Sequence, residues 1–515
     1  MNHSPLLLER TARCLGRKAK ENAVPLISSA VFGALAYLFA FTNKLVNHDE
    51  VQSLFMKGAT VDSGRWGLGV LDTIFPNYSM PWIYGVITLA LMAVSVCLIL
   101  NLFQIKNKVL QALLAGSIVV FPSLIGTFGY MFTSSSYGLS FLLAVLGVWL
   151  ICKPHWLWAL PAGVCMVLSL SIYQSYIAVA ASLLVLVLIQ KLLQGDKFLP
   201  VLLRGIWFVA FLIASLAVYY IGTQVVLKIT GVEMNSYASG SITLSLSTLP
   251  SAVALAYESF GKFFTEGHRG LILTPMSQLM HWVVLASIAF FLLVLLRRKK
   301  ADLPAALLLP VLLGLLPLAI NCMYLITSDD SIHTLVLYGF VSVYILAVIL
   351  AEEVLPLDLA KKIPELCRRG ALDLLTLALG LILISNIYIA NEAYLHMYLR
   401  YENTFAFYTS LVTDLRHTPE FTRDSKLAVI GNWEKPEFYE EQFGFLRQLT
   451  GVHGIAPDSY SRNRFLEYYI GADLNFPEEA EMAAIQSSPE FVEMACYPYH
   501  GSIRMIGDTL VVKLS

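Results

Sequence analysis

VPLISSAVFGALAYLFAFT (24–42), followed at once by NKLVNHDEVQSLFMKGATVDSGRWG (43–67), is the stretch on which the reading of this chain turns. The first segment contains no Asp, Glu, Lys or Arg and is long enough to cross a hydrocarbon core of roughly 30 Å. The second places His48, Asp49 and Glu50 just beyond that span, and then a polar cluster of Asp62, Ser63, Gly64, Arg65 and Trp66. Ionisable groups beside a membrane are costly unless they are solvated, paired or used. The chain gathers them here and is mostly apolar from there to about Asn391, which marks the loop as a candidate active site.

Composition places this loop in an integral membrane protein. The 515 residues are 57% hydrophobic and 14% charged, whereas soluble domains carry about 25% charged residues. The net charge of −1 hides an asymmetry: residues 396–515 hold 10 Lys and Arg against 17 Asp and Glu, so the rest of the chain is basic. Two physically different parts therefore meet near Asn391. The seven cysteines show no CxxC and no zinc spacing, which argues against a disulfide framework or a metal knuckle. No small-residue cleavage motif follows residue 42, so 24–42 is expected to be a retained span.

Eleven apolar runs are expected to span: 24–42, 82–103, 109–127, 137–152, 156–173, 175–192, 205–227, 279–296, 303–321, 333–351 and 371–391. With the N-terminus inside, the cytoplasmic segments carry 19 Lys and Arg and the opposite loops 6, which predicts that orientation. The fold expected is thus a polytopic all-α membrane protein of about eleven transmembrane helices with a small C-terminal soluble α/β domain. Its parts are a basic cytoplasmic N-terminus (1–23), a membrane domain (24–391) with external loops 43–81, 228–278 and 322–333, and a periplasmic domain (392–515). The setting is then a bacterial inner membrane. A fourth external segment, GYMFTSSSY (129–137), is short, aromatic and hydroxylated. In the tail, Lys426–Ile430 reads as a buried strand, and Ser502–Met505 and Thr509–Leu514 flank a Gly507-Asp508 turn as a hairpin. Helical spacing covers Glu437–Leu449, Arg462–Ile470 and Glu478–Ile485. The tail has no GxSxG, P-loop or GxGxxG and is assigned no chemistry of its own.

Each polar cluster admits a structural and a chemical reading. Asn47 and Glu50 fit an N-x-x-E capping box opening a helix over Asp49–Lys57. Adjacent helical positions diverge by about 100°, so Asp49 and Glu50 cannot both point into one small site. Asp49 is then the general base or a cation ligand, with Glu50 in support. The segment Asp62–Gly67 is either an interfacial anchor or a sugar and phosphate contact through Asp62, Arg65 and Trp66. Glu266-Gly267-His268-Arg269 offers a headgroup-snorkelling arginine or a phosphate clamp. Asp329 and Asp330 read first as a cap for a helix starting near His333, and second as ligands of a cation or of sugar hydroxyls. No HxxH or HExxH occurs. No cofactor is demanded by these residues, and a divalent cation is left open.

The acidic pair after the first span, the Gly64-Arg65-Trp66 signature and the ending Tyr497-Pro498…Gly501-Ser502-Ile503 with Val511-Val512-Lys513-Leu514 together resemble the bacterial O-antigen glucosyltransferase type II family. That resemblance implies a GT-C-like glycosyltransferase, a serotype-modifying enzyme of lipopolysaccharide. Such an enzyme takes a hexose, here glucose, from a polyprenyl-phosphate donor and uses an acidic residue of the first external loop; on this chain the acidic motif falls on Asp49 and Glu50. The layout points the same way, because the long polar loops lie outside while nucleotide sugars are cytoplasmic. The acceptor is then a cell-surface polysaccharide such as O-antigen; the partners are that acceptor, the lipid-linked donor and the bilayer, with no nucleic acid. The competing class is a lipid-linked saccharide transporter or flippase, or a polymerase-like channel, which should show an internal repeat or ionisable residues at mid-span. Neither is found.

Overall fold

A computed structural model describes the whole chain except residues 1–6, 56–59, 75–77, 235–246, 270, 299–302, 357–364, 420, 423, 433–445 and 447–448. The helix expected over Glu437–Leu449 therefore lies almost wholly outside the described residues, as do Lys57, Lys299, Lys300, Lys361 and Lys362.

The chain is mostly helical, and nine described helices are long and apolar enough to cross a membrane: Ala23–Thr42, Pro81–Leu102, Lys108–Thr127, Met131–Ile151, Gln174–Gln194, Phe198–Thr230, Pro275–Arg297, Thr334–Val354 and Glu365–Arg416. Two further runs expected to span fold as shorter apolar helices, Trp156–Ile172 and Pro304–Ile320. Length separates the two classes, since a helix rises about 1.5 Å per residue. The fourth run begins earlier than its apolar pattern suggests: Met131–Tyr137 forms its first turns instead of a loop.

The bundle satisfies its interrupted backbone internally, as an apolar surrounding requires. Pro122 has no N–H to offer the Ile118 carbonyl, and the helix breaks between Val119 and Pro122. Tyr338 donates its hydroxyl to that carbonyl at 2.6 Å, Tyr37 donates to Val119 O at 2.8 Å, and Tyr394 to Ile125 O at 2.9 Å. Three helices distant in sequence are thereby pinned around one break. The break carries the turn at Phe128–Tyr130 to the end of the bundle where the first loop lies.

The C-terminal elements begin within the last membrane helix. Glu365–Arg416 is one uninterrupted helix of 52 residues, about 78 Å long by its rise, so the compositional boundary near Asn391 falls inside a rigid rod. Beyond it stands a three-stranded sheet in the order β3 (Lys426–Ile430), β5 (Thr509–Lys513), β4 (Ile503–Ile506); the two-residue pair β1 (Gly267–His268) and β2 (Leu271–Ile272) precedes it in the chain. β4 and β5 form the expected antiparallel hairpin, and β3 lies parallel to β5 with Ala428 beside Val511. Helices Arg462–Tyr468 and Glu479–Gln486 accompany the sheet. Its core is shared with the first loop: Val46 and Val51 are fully buried against Phe407, Leu411, Leu427 and Phe465. Burying a valine contributes about 1.5–3 kcal/mol, so this contact fixes the loop against the tail.

Candidate active site

Asn47 organises the first loop. Its Oδ1 accepts the Glu50 N–H at 2.8 Å as a helix N-cap, and its amide donates to Gly129 O at 2.9 Å and to Gly451 O at 2.8 Å. Only close backbone approach allows this triple contact. A Cβ on Gly129 would lie 2.2 Å from the Gly451 carbonyl oxygen, and Gly451 itself has φ +86°. The helix that Asn47 opens runs only from His48 to Gln52 and does not reach Lys57.

The two carboxylates diverge, as the helical offset requires. Glu50 is completely buried. Its carboxylate receives Lys44 Nζ at 2.5 Å, the Ser79 hydroxyl and the Phe132 N–H at 3.3 Å. A reciprocal capping box is thus only half realised, because the Glu50 side chain serves other donors. Asp49 turns the opposite way, into a cavity of about 360 Å³, where the Tyr460 hydroxyl donates to its Oδ1 at 3.1 Å. Beside it, His48 Nδ1 lies 2.8 Å from Asp458 Oδ2 and 3.1 Å from the Ser461 hydroxyl.

Arg65 enters the same cavity from the second polar cluster. Gly64, at φ +74°, closes the turn, and Arg65 N–H returns to Thr60 O at 2.7 Å. Gln174 donates to Ser63 O and Tyr219 to Gly64 O, at 3.2 and 3.1 Å, so the turn is held by the first residue of one membrane helix and by the interior of another. The guanidinium sits 5.5 Å from the Tyr173 ring centroid and donates to Tyr137 OH at 3.0 Å. Those two rings stack at 4.3 Å. Trp66 does not line the cavity; its indole packs where Gly222 leaves room. Asp62 remains in the Val61–Gly64 turn, outside the cavity wall.

His333 completes the wall together with Tyr130, Thr133, Thr450 and others. Burial first, and then the positive charge of Arg65, push its imidazole down to about 4. Tyr460 moves in the other direction, up to about 12, through burial and then the Asp49 carboxylate. A neutral imidazole, a phenol that keeps its proton, a carboxylate and a guanidinium therefore face one space.

His268, Arg269 and Asp329 form a neighbouring cluster. Arg269 pairs with Asp329 and reaches Tyr324 OH at 3.5 Å, while His268 Nε2 lies 3.1 Å from the same hydroxyl. The expected cap is replaced by this ion pair: Asp329 opens a single 3-10 turn and is drawn to Arg269, and the helix after His333 has no side-chain cap. The side chain of Asp330 lies outside the described residues. Thr334 links the cluster to the cavity: its hydroxyl donates to Arg269 O at 2.6 Å, and its oxygen lies 3.3 Å from the Thr450 hydroxyl.

The family model described as Glucosyl transferase GtrII matches residues 38–346, more than half of the chain and all of the loops just described up to His333. The chain belongs to the GtrII glucosyl transferase family. It is thus a membrane protein of a glucosyltransferase family. No curated protein matches it. The GtrII match covers Asp49, Arg65 and His333 but stops short of Thr450 and Tyr460, which come from the tail. Among the described residues no group of three or more His, Cys, Asp or Glu is placed to hold a metal ion.

The sequence pattern brings Asp49 and Arg65 to one place and marks the aromatic, hydroxylated segment that supplies Tyr130, Thr133 and Tyr137. It misses Lys44 and Ser79 as the partners of Glu50, and Tyr173 in a turn between helices. It also misses Thr450 and Tyr460, because nothing local in a DSYSR segment announces a contact with residue 49.

Proposed function

We propose that the chain transfers a glucosyl unit from a polyprenyl-phosphate donor to a hydroxyl of a cell-surface polysaccharide such as O-antigen, on the outer face of the membrane. Asp49 acts as general base and Arg65 stabilises the departing phosphate. The observation that carries this reading is one cavity with the Asp49 carboxylate and the Arg65 guanidinium both on its wall. Tyr460 occupies Oδ1 of Asp49, which leaves Oδ2 for the acceptor. The acceptor oxygen bonds to the anomeric carbon as its proton passes to Asp49, and the bond from that carbon to the phosphate oxygen breaks with its electron pair leaving on the phosphate. A single displacement inverts the anomeric centre. A positioned base contributes roughly 10²–10⁴-fold, and a charge-assisted Arg–phosphate contact is stronger than a neutral one.

The donor's lipid has a seat consistent with this. An apolar groove of about 520 Å³ lies between helices Ala159–Ile172 and Phe198–Thr230, lined by Leu160, Val164, Trp207, Phe211 and Val218. Val218 on its wall precedes Tyr219 in the same helix, and the Tyr219 hydroxyl bonds the Gly64 carbonyl one residue from Arg65. An isoprenoid chain in this groove would lie along the helix whose Tyr219 holds the turn before Arg65. The reading extends to eleven crossings, the two shorter apolar helices included, a cytoplasmic N-terminus and a periplasmic C-terminal domain from residue 392. Trp66, Asp62, His268, Arg269 and Asp329 then frame the site without performing the displacement.

The test is a purified, lipid-reconstituted assay. Transfer is expected from polyprenyl-phosphate-glucose and not from a uridine-diphosphate sugar supplied alone. Sustained turnover with the nucleotide sugar, with no lipid carrier present, would overturn the donor assignment.

A further inference from the structure

The segment Asp458–Arg462 has two faces, and only one of them serves the Asp49 cavity. Tyr460 points to Asp49. Ser459 and Arg462 line a second cavity, of about 310 Å³, at the C-terminal end of β3. Its wall includes Asn432, Asn463, Gln486, Phe476 and Met482. Its floor is rigid: Arg462 is buried and donates to the carbonyls of Val429 and Gly431, and Asn432 Oδ1 accepts the Ser459 N–H at 3.0 Å. The cavity thus lies at the carboxyl end of β3, the edge strand parallel to β5.

The lining chemistry selects the ligand. Three side-chain amides and a hydroxyl offer donors and acceptors together. An aromatic ring and a proline offer an apolar face. Among the described residues no carboxylate or ammonium lines the cavity, so a cation is not favoured; its one charged group, Arg462, is buried and held against the carbonyls of Val429 and Gly431. A neutral ring bearing several hydroxyls fits this wall. The volume stands at the lower end of the roughly 300–1,000 Å³ usual for small-ligand sites, which suits a short piece of a polymer and not a lipid.

We propose that this cavity is a second saccharide-binding site, which holds a neutral sugar of the acceptor polysaccharide while another unit of the same chain reacts at Asp49. It rests on the transferase reading above. One five-residue segment separates the two cavities, so a polymer passing over it occupies both. The site gives the enzyme preference for long acceptors over short ones and adds nothing to the displacement itself.

The experiment uses the full chain in lipid nanodiscs, with the soluble polysaccharide cut from the surface of the producing cell as probe, in a long form and a single-repeat form. Hydrogen exchange at residues 427–432 and 459–463 should slow when the long form is added, in the parent and in Asp49→Asn alike. Met482→Trp, which fills the cavity, and Gln486→Ala should each raise KM for the long form about tenfold at unchanged kcat, the sign of lost uniform binding. KM for the single-repeat form should stay within about twofold. Unchanged exchange with the long form in the parent chain overturns the second site and leaves the transferase reading standing. Slowed exchange combined with full transfer by Asp49→Asn supports the second site and removes Asp49 as base. Equal KM changes for long and short forms in both variants would overturn the division of labour between the cavities.

Discussion

Arg65 and Arg269 stand at the same end of the bundle in different electrostatic company. Arg269 is joined directly to Asp329 and braced by Tyr324, and the result ties the β1–β2 hairpin to the turn at Ser328–Ser331. Arg65 lies over Tyr173, donates to Tyr137 and shares its cavity with Asp49. Its field reaches His333, which burial and Arg65 together hold neutral. The Arg269–Asp329 pair holds two loops together; Arg65, beside Tyr137 and Tyr173, stands on the wall of the cavity that Asp49 also lines. The carboxylates repeat the contrast, with Glu50 closed by Lys44, Ser79 and Phe132 while Asp49 faces the open space.

The sharpest way to break this contrast is at Asp49. Asp49→Asn should lower kcat by roughly 10²–10⁴-fold, the range for a positioned base, with accumulation and melting temperature unchanged. Full activity in a reconstituted assay would remove it as base. Next, Arg65→Ala should reduce kcat/KM for the lipid donor by roughly 10²-fold, the scale for losing one transition-state donor. Arg269→Ala should cost mainly stability, about 0.2–1 kcal/mol for a partly exposed pair. If the two arginine variants lose donor turnover equally, the contrast fails.

Glu50→Gln should behave as a structural change. Its cost is about 1–3 kcal/mol from donors left poorly satisfied in a buried site, read as an earlier thermal transition, while the surviving protein keeps its kcat. The reverse outcome, intact melting with lost turnover, would exchange the roles of the two carboxylates.

The smallest effect is a pH dependence. Burial is the main cause that pushes His333 and His453 down to about 4, below the ordinary histidine value near 6.5. Between those values the unfolded chain binds more protons than the folded one, so stability rises with pH through that window and is lost as pH falls through it. Each tenfold weakening of proton affinity corresponds to about 1.4 kcal/mol. Melting temperature should therefore decline from about pH 6.5 towards about 4.5, and His333→Gln should flatten that decline. An unchanged slope would place His333 in water, outside the cavity wall.

The apolar runs, the Asn47 cap, the strand at Lys426–Ile430 and the final hairpin are legible because each is written in neighbouring residues. Asp49 and Arg65 are legible as a pair of polar clusters in one loop. Which of Asp49 and Glu50 faces the cavity is not, since a helix only says that they diverge. Asp329 reads as a cap because its local context permits one; Arg269, distant in sequence, competes for it and wins with a full charge. Tyr460 and Thr450 are beyond local reading altogether, because they meet the first loop through the shared burial of Val46 and Val51 in the tail's core.

The Tyr460–Asp49 contact spans 411 residues of chain. A ribosome adds about 5–20 residues per second, so roughly 20–80 s of synthesis separate the emergence of one partner from that of the other at that rate. For nearly all of that interval the nascent protein carries Asp49 with neither Thr450 nor Tyr460 beside it. A chain that ends between residues 355 and 449 keeps every membrane helix of the matched region and still lacks the part of the wall that Thr450 and Tyr460 supply. The part of the wall that Thr450 and Tyr460 supply is thus the last part of the cavity to be synthesised.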